Sequence, residues 1–236
     1  FMALLQNNDF LRAIENNSLM DLLNKKETLN DNNPVNEGHN TDTKVITNNT
    51  VSPNINRTYI NDSKTKRGAI MFTGLVQSVG KVVDIKNGES SAQIKIEASK
   101  LVKKLEIGGS ISVNGVCLTA TKVKGKTFQA DVMIQTLKLT NLGQISKGTE
   151  VNLELPARGD SFLGGHIVQG HVDGIGTVVL VADGEKRRKF VVNIPTHLLK
   201  YVNNQGSITI DGTSLTVGEV DDSTSNVTLW LIPETL

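Results

Sequence analysis

The sequence predicts an all-β protein made of two similar antiparallel β-domains in tandem, the second incomplete. Three observations carry this reading. From Met71 the chain breaks into short runs rich in Val and Ile, punctuated by Gly or Asn, the pattern of a barrel or sandwich. Those runs recur later in the chain, in order and at a nearly constant spacing. Ahead of residue 71 the composition differs: residues 1–70 hold 15 Asn and none of the later alternation.

Length and composition bound the function classes. The 236 residues suffice for one large or two small domains, and 38% hydrophobic with 21% charged residues can bury a core. A net charge of +1 advertises neither a nucleic-acid nor a membrane surface. One cysteine excludes an internal disulfide framework and a multi-Cys zinc site, and four histidines supply a metal site poorly. No apolar run approaches the ~18 residues of a membrane span.

Residues 1–29 contain no Pro or Gly, and Leu4, Leu5, Leu11, Ile14, Leu19, Leu22 and Leu23 recur at spacings near three and four. That predicts an amphipathic helix or helix pair. Residues 30–70, rich in Asn, Thr, Asp and Ser with Pro34 and Pro53, read as disordered linker. Acidic residues are plentiful here, unlike a transit peptide, and no secretory signal opens the chain. The start at Phe1 predicts a chain cut at its front.

The strand runs are GLVQSVGKVV (74–83), AQIKIEA (92–98), SISVNG (110–115), CLTATKV (117–123), FQADVM (128–133) and EVNLEL (150–155). Helical signals are few: ASKLVKKLE (98–106) and PTHLLKYVN (195–203), the latter with Pro195 at a first helical position.

Residues 94–119 lie over 191–216 at one offset of 97 (191 − 94) without a gap. Within it, GSISVNGVCLT (109–119) and GSITIDGTSLT (206–216) share six of eleven positions. GLVQSVGKVV (74–83) lies over GHVDGIGTVV (170–179) at offset 96 (170 − 74). VMIQTL (132–137) matches LIPETL (231–236), where the chain ends with no counterpart of the EVNLEL strand. A barrel lacking that strand exposes an edge, which predicts a chain cut at its back too.

On these motifs, MFTGLV (71–76), NGVCLT (114–119), TLKLTNLG (136–143), GGHIVQGHVDG (164–174), DGTSLTVGEV (211–220) and LIPETL (231–236), the chain from Met71 resembles the riboflavin synthase family of two-barrel lumazine-binding proteins. The resemblance implies tandem six-stranded antiparallel Greek-key β-barrels: an N-terminal barrel over 71–166 and an incomplete C-terminal barrel over 167–236. Residues 1–70 stay outside it as an extension. It further implies an enzyme that moves a four-carbon unit between two molecules of 6,7-dimethyl-8-ribityllumazine. The products are riboflavin and 5-amino-6-ribitylamino-pyrimidinedione, with no cofactor and no metal. A homotrimer is implied, with the productive site between the N-terminal barrel of one subunit and the C-terminal barrel of its neighbour. Lumazine synthase is an implied associate. The implied location is the cytoplasm, or a plastid if the extension is a targeting segment. Two related barrels suit a reaction that consumes two copies of one substrate, since catalysis would rest on proximity and orientation.

The resemblance implies binding residues position by position. The first lumazine is given Gly74, Leu75 and Val76, then Cys117, Leu118 and Thr119, and the run Asp131, Val132, Met133, Ile134, Gln135 and Thr136, with Ser110 beside them. The second-barrel set is Gln205, Ser214, Leu215, Thr216, Ile232, Pro233, Glu234, Thr235 and Leu236. Gly170, His171 and Val172 open the second repeat as a further binding stretch. Cys117, His171, Ser110 and Thr216 are the candidate catalytic residues.

Each has a blander reading. A lone Cys is usually a small buried hydrophobe, and Cys117 has Ser214 as its repeat mate. His166 and His171, five apart among glycines, read as structural without a third ligand. His171 could instead move a proton from the 7-methyl group of the substrate. Ser110, Thr119 and Thr216 could be strand residues with solvated hydroxyls. The Asx-Gly steps at Asn114 and Asp211 read first as turns. Two positions depart from the family pattern: Gln205 stands where Lys is usual, and Gln135 where Glu is common. Two competing functions are a non-catalytic lumazine or flavin carrier of the antenna type, and an inactive fragment whose extension acts as an interaction module. Retention of Cys117 with both Ser214 and Thr216 favours the enzyme, because a carrier needs only one good pocket.

Overall fold

A computed structural model describes residues 2–5, 71–184 and 187–232. The first repeat forms a closed barrel of six strands: β2 (Ser78–Asn87), β3 (Ser91–Glu97), β4 (Ser110–Val113), β5 (Val116–Lys124), β6 (Thr127–Met133) and β7 (Glu150–Glu154). The ring order is β2-β3-β6-β5-β4-β7, every neighbour antiparallel. Alternation decides which side chains enter the barrel. On β3, Ala92, Ile94 and Ile96 are buried; Ile94 and Ile96 stand opposite the buried Ala130 and Phe128 of β6.

The second repeat supplies β8 (Gly174–Asp183), β9 (Arg188–Asn193), β10 (Ser207–Ile210), β11 (Thr213–Asp221) and β12 (Asn226–Leu231), curled in the order β10-β11-β12-β9-β8. Its core holds Phe190, Val192, Ile208, Ile210, Val227 and Leu229. Among the described residues, no strand of this repeat stands where β7 stands in the first. The place between β8 and β10 is taken by β1 (Met2–Leu5), which pairs with both in parallel. Leu4 and Leu5 therefore lie in a strand, not in the helix expected over 1–29. The unpaired edges of β8 and β10 offer hydrogen bonds that outweigh a weak local spacing signal. The rest of that helix, and the linker over 30–70, lie outside the described residues.

The other helical signals resolve into short 3-10 segments. ASKLVKKLE holds a 3-10 turn at Val102–Lys104, and PTHLLKYVN one at Thr196–Tyr201, preceded by Pro195. Their apolar residues Leu101, Leu105, Leu198 and Leu199 pack into the two barrel cores. A short α-helix, α1 (Ile134–Leu139), follows β6 without any capping side chain, so the sequence gives no start signal for it.

The repeat is not gapless. Val82 pairs with Ile96, and Val178 with Val192, so β3 and β9 correspond at offset 96 (192 − 96). The β4–β5 and β10–β11 pairs correspond at 97, since Ser110 faces Thr119 and Ser207 faces Thr216. The extra residue falls at Pro195. Strand period makes a one-residue slip matter: at offset 97, buried Ile96 would match half-buried Asn193, whereas at 96 it matches buried Val192. The β-bulges correspond as well, between Val82 and Asp84 and between Val178 and Leu180.

The two repeats meet about a local two-fold axis. Phe72 and Val168, mates at offset 96 (168 − 72), pair antiparallel and are 0% and 5% exposed. Their N–H and C=O groups are exchanged, at 2.7 and 3.0 Å. The Asn114-Gly115 and Asp211-Gly212 hairpins, both with positive φ at their two central residues, are the turns expected there. They meet across the same contact. A Cβ on Gly212, whose φ is +81°, would lie 2.8 Å from the Gly115 nitrogen.

Gly212→Ala should therefore destabilise the protein beyond the ordinary cost of a left-handed alanine, about 1–2 kcal/mol. Backbone crowding should add ~1–3 kcal/mol. Gly125→Ala is the control, because its φ is +62° with nothing within 4 Å of the new methyl. Urea unfolding of the two variants checks this; equal losses would mean that the contact between the turns carries no energy.

Candidate active site

Cys117 and Thr119 face outward from β5, while Leu118 between them is 5% exposed and points into the core. The same alternation recurs on β11, with Ser214 and Thr216 outward and Leu215 7% exposed. Val132 of β6 is likewise inward, with Asp131 and Met133 outward on either side. Leu118, Val132 and Leu215 can therefore meet a ligand only through their backbone. The Asp131 carboxylate already accepts a hydrogen bond from Gln93 Nε2 at 3.1 Å.

The grouping of the opening segments differs from the sequence expectation. Gly74 lies against Ser214 of the second barrel: the Ser214 N–H donates to the Gly74 carbonyl at 2.7 Å. Gly170 lies against Cys117 of the first barrel: the Cys117 N–H donates to the Gly170 carbonyl at 3.0 Å. Cys117 and Ser214 are mates at 97 (214 − 117), and Gly74 and Gly170 at 96 (170 − 74). Each repeat thus lends its opening segment to the other. Only glycine allows it. Both residues have positive φ, and a Cβ would stand 2.7 Å from that of Ser214 at Gly74, or 2.5 Å from that of Cys117 at Gly170.

Two clusters result. The first combines Cys117, Thr119 and Ser110, which stands opposite Thr119 on β4, with Gly170, His171 and Val172. Val172 packs against the first barrel's core, and His171 is exposed. The second combines Ser214 and Thr216 with Gly74, exposed Leu75 and half-buried Val76. Ile134, Gln135 and Thr136 form the first half of α1. Gln205 is exposed, with its N–H bonded to Val217 and a φ of +63° where its mate Gly108 has +81°. Ile232 is 51% exposed; Pro233, Glu234, Thr235 and Leu236 lie outside the described residues. An open cleft lined by Thr177, Asn193, Thr196, Thr224 and Ser225 contains none of these residues.

Burial pushes the Cys117 thiol above its usual range, offset in part by a hydrogen bond with Ser110. That direction disfavours the thiolate that nucleophilic attack needs.

Two supports of the second cluster lie outside the site residues expected from the sequence. His166 bridges two hydroxyls, with Nδ1 2.7 Å from Ser214 Oγ and Nε2 2.9 Å from Thr209 Oγ1. Burial holds its pKa below the ordinary range. The neutral ring donates from one nitrogen and accepts at the other. Glu154, 3% exposed at the end of β7, accepts hydrogen bonds from Thr73 and Gly74. Burial pushes its pKa up, and the donors on Thr73 and Gly74 pull it part of the way back. The available signal was EVNLEL itself. Val151 and Leu153 fill the barrel, yet Asn152 and Glu154 on the opposite face are also buried, so that face abuts another element.

Residues 73–156 and 169–236 match the family described as "Lumazine binding domain". The chain is 40% identical over 166 residues to riboflavin synthase of Actinobacillus pleuropneumoniae, covering 70% of this chain and 76% of that protein. Riboflavin synthase of Bacillus subtilis (strain 168) is 36% identical over 166 residues with the same coverage. That of Schizosaccharomyces pombe (strain 972 / ATCC 24843) is 41% identical over 159 residues, 66% of this chain and 76% of that protein. Among solved structures, LumP complexed with riboflavin superposes with a TM-score of 0.65 at 26% identity, covering 70% of this chain and 89% of that one. LumP complexed with 6,7-dimethyl-8-(1'-D-ribityl) lumazine gives 0.61 at 26% identity, over 69% and 86%.

The His166 geometry predicts a pH effect. A lowered histidine pKa contributes stability that is present above the unfolded value, about 6.5, and is lost as pH falls through the folded one. His166→Gln should therefore melt well below the wild type at pH 8, and the gap should narrow as pH falls below about 6.5. Thermal melts at pH 8, 6 and 5 check it. A gap constant across that range would mean that the ring's protonation state does not matter to the fold.

Proposed function

The chain belongs to the riboflavin synthase family of lumazine-binding proteins, and from its two crossed clusters we infer how it uses that fold. It is a transferase that catalyses the dismutation of two 6,7-dimethyl-8-ribityllumazine molecules. A four-carbon unit passes from one to the other, giving riboflavin and 5-amino-6-ribitylamino-pyrimidinedione. The observation that carries the reading is the pairing of Cys117 with Gly170 and of Ser214 with Gly74. One chemistry of recognition is built twice, once for donor and once for acceptor.

The roles follow from position. Outward strand residues, here Thr119, Thr216, Cys117 and Ser214, offer hydroxyls and a thiol to a pteridine edge. Backbone groups of the crossed segments supply fixed donors and acceptors. Leu75 and Val76 on one side, with Val172 on the other, give each ring an apolar wall. Removal of a proton from the 7-methyl group of one lumazine falls to His171, the exposed histidine beside the first cluster. Holding both substrates supplies most of the acceleration, since orientation alone contributes ~7–11 kcal/mol in favourable cases. A homotrimer would bring the first-barrel cluster of one subunit to the second-barrel cluster of the next. A cytoplasmic or plastid setting and association with lumazine synthase belong to the same reading. The carrier alternative is less favoured, because the enzymes are the nearer in sequence and both clusters are retained.

Incubation with 6,7-dimethyl-8-ribityllumazine alone should yield one riboflavin for every two lumazines consumed, read by fluorescence and absorbance. Saturable binding with no riboflavin would identify a carrier instead. Cys117→Ser should lower turnover about ten-fold, ~1.4 kcal/mol of barrier, with ligand affinity nearly intact. Unchanged turnover would reduce Cys117 to packing.

A further inference from the structure

Glu154 is a buried carboxylate with no cation in ion-pair reach among the described residues. Burying an unpaired charge is costly, so its hydrogen bonds must compensate. Three donors converge on it from one short segment. The Thr73 N–H and Thr73 Oγ1–H both reach Oε1 at 2.7 Å, and the Gly74 N–H reaches Oε2 at 3.0 Å. Thr73 Oγ1 in turn accepts from the Leu75 N–H at 3.3 Å.

The carbonyls of this segment are held from the other side. The Thr73 carbonyl accepts from the His166 N–H at 3.0 Å, and the Gly74 carbonyl from the Ser214 N–H at 2.7 Å. The peptide planes at 73 and 74 are thus pinned between β7 on one side and His166 and β11 on the other. Leu75, the next residue, is 47% exposed and contributes little to either core.

We infer that Glu154 is a positioning residue for the second-barrel subsite, setting where Gly74, Leu75 and Val76 stand over Ser214. This rests on the function proposed above. Its chemical basis is the acceptor-only character of a carboxylate. Glu154→Gln keeps the size but turns an amide NH2 toward one of the three donors, so one bond is lost and two donors oppose each other.

Two readouts on the full chain test this at a temperature where each variant is fully folded by circular dichroism. Amide hydrogen exchange reads the segment without any ligand. In Glu154→Gln, the Thr73, Gly74 and Leu75 amides should exchange at least ten-fold faster, while Ile94 and Val192 in the cores keep wild-type protection. Titration with riboflavin and steady-state kinetics with 6,7-dimethyl-8-ribityllumazine read the consequence. Affinity at one of two sites should fall at least ten-fold, and KM should rise more than kcat falls. Combined with Ser214→Ala, the binding loss should be smaller than the product of the single losses; combined with Thr119→Ala in the first cluster, the losses should multiply. Wild-type exchange at Gly74, or faster exchange spread evenly over both cores, would overturn the inference. So would multiplicative losses with both partners. A wild-type chain that binds neither compound would instead overturn the proposed function, leaving the exchange result to judge Glu154.

Discussion

The antiparallel bridge between Phe72 and Val168 is the constraint on which the rest of the site depends. It is buried, and it joins two residues at equivalent places in the two repeats. Two chain segments paired in this way must diverge in opposite directions. Each opening segment is therefore carried onto the other repeat's strand, Gly74 to Ser214 and Gly170 to Cys117. Two requirements follow on either side of the bridge: a residue without a Cβ, and a strand able to give an N–H to the incoming carbonyl. Both are met twice.

A contact of this kind buries polar backbone, and the protein satisfies it with polar side chains. Strands β4, β7 and β10 turn apolar residues inward; the outward Asn152, Glu154 and Thr209, with the turn residues Asn114 and Asp211 beside them, form a polar layer, none more than 4% exposed. Asn152 gives its Nδ2–H to the Asp211 carbonyl, and its own N–H donates to Asn114 Oδ1. Asn141 Nδ2–H donates to Asp211 Oδ1. Such a layer costs more to leave unmade than it gains when made, so it fixes one relative placement of the repeats. The catalytic proposal needs that placement, because a displaced Gly74 or Gly170 would move half of a subsite.

Much of this was legible in the sequence. Short strands, the repeat and the Asx-Gly turns are local signals, and alternation assigns Ile94, Ile96, Ile111 and Leu118 to the core without help. What escaped was set by pairing across distance. The crossing of Gly74 and Gly170 cannot be read from a repeat, which says that two segments are alike and not which partner each takes. The extra residue at Pro195 is invisible to an ungapped comparison and visible once Val192 is seen in the core. Leu4 and Leu5 carried a helical spacing, yet the edges of β8 and β10 claim them. Nothing local singles out Glu154, and His166 reads as a structural imidazole, because their partners lie 81 and 48 residues away.

The crossed assignment is tested most directly by nuclear Overhauser contacts between bound riboflavin and labelled methyl groups. Leu75, Val76 and Thr216 should share one ligand, and Val172 and Thr119 should share the other. Contacts from a single ligand to both Leu75 and Thr119, with none to Thr216, would contradict the account, because Gly74 to Val76 would then serve its own repeat.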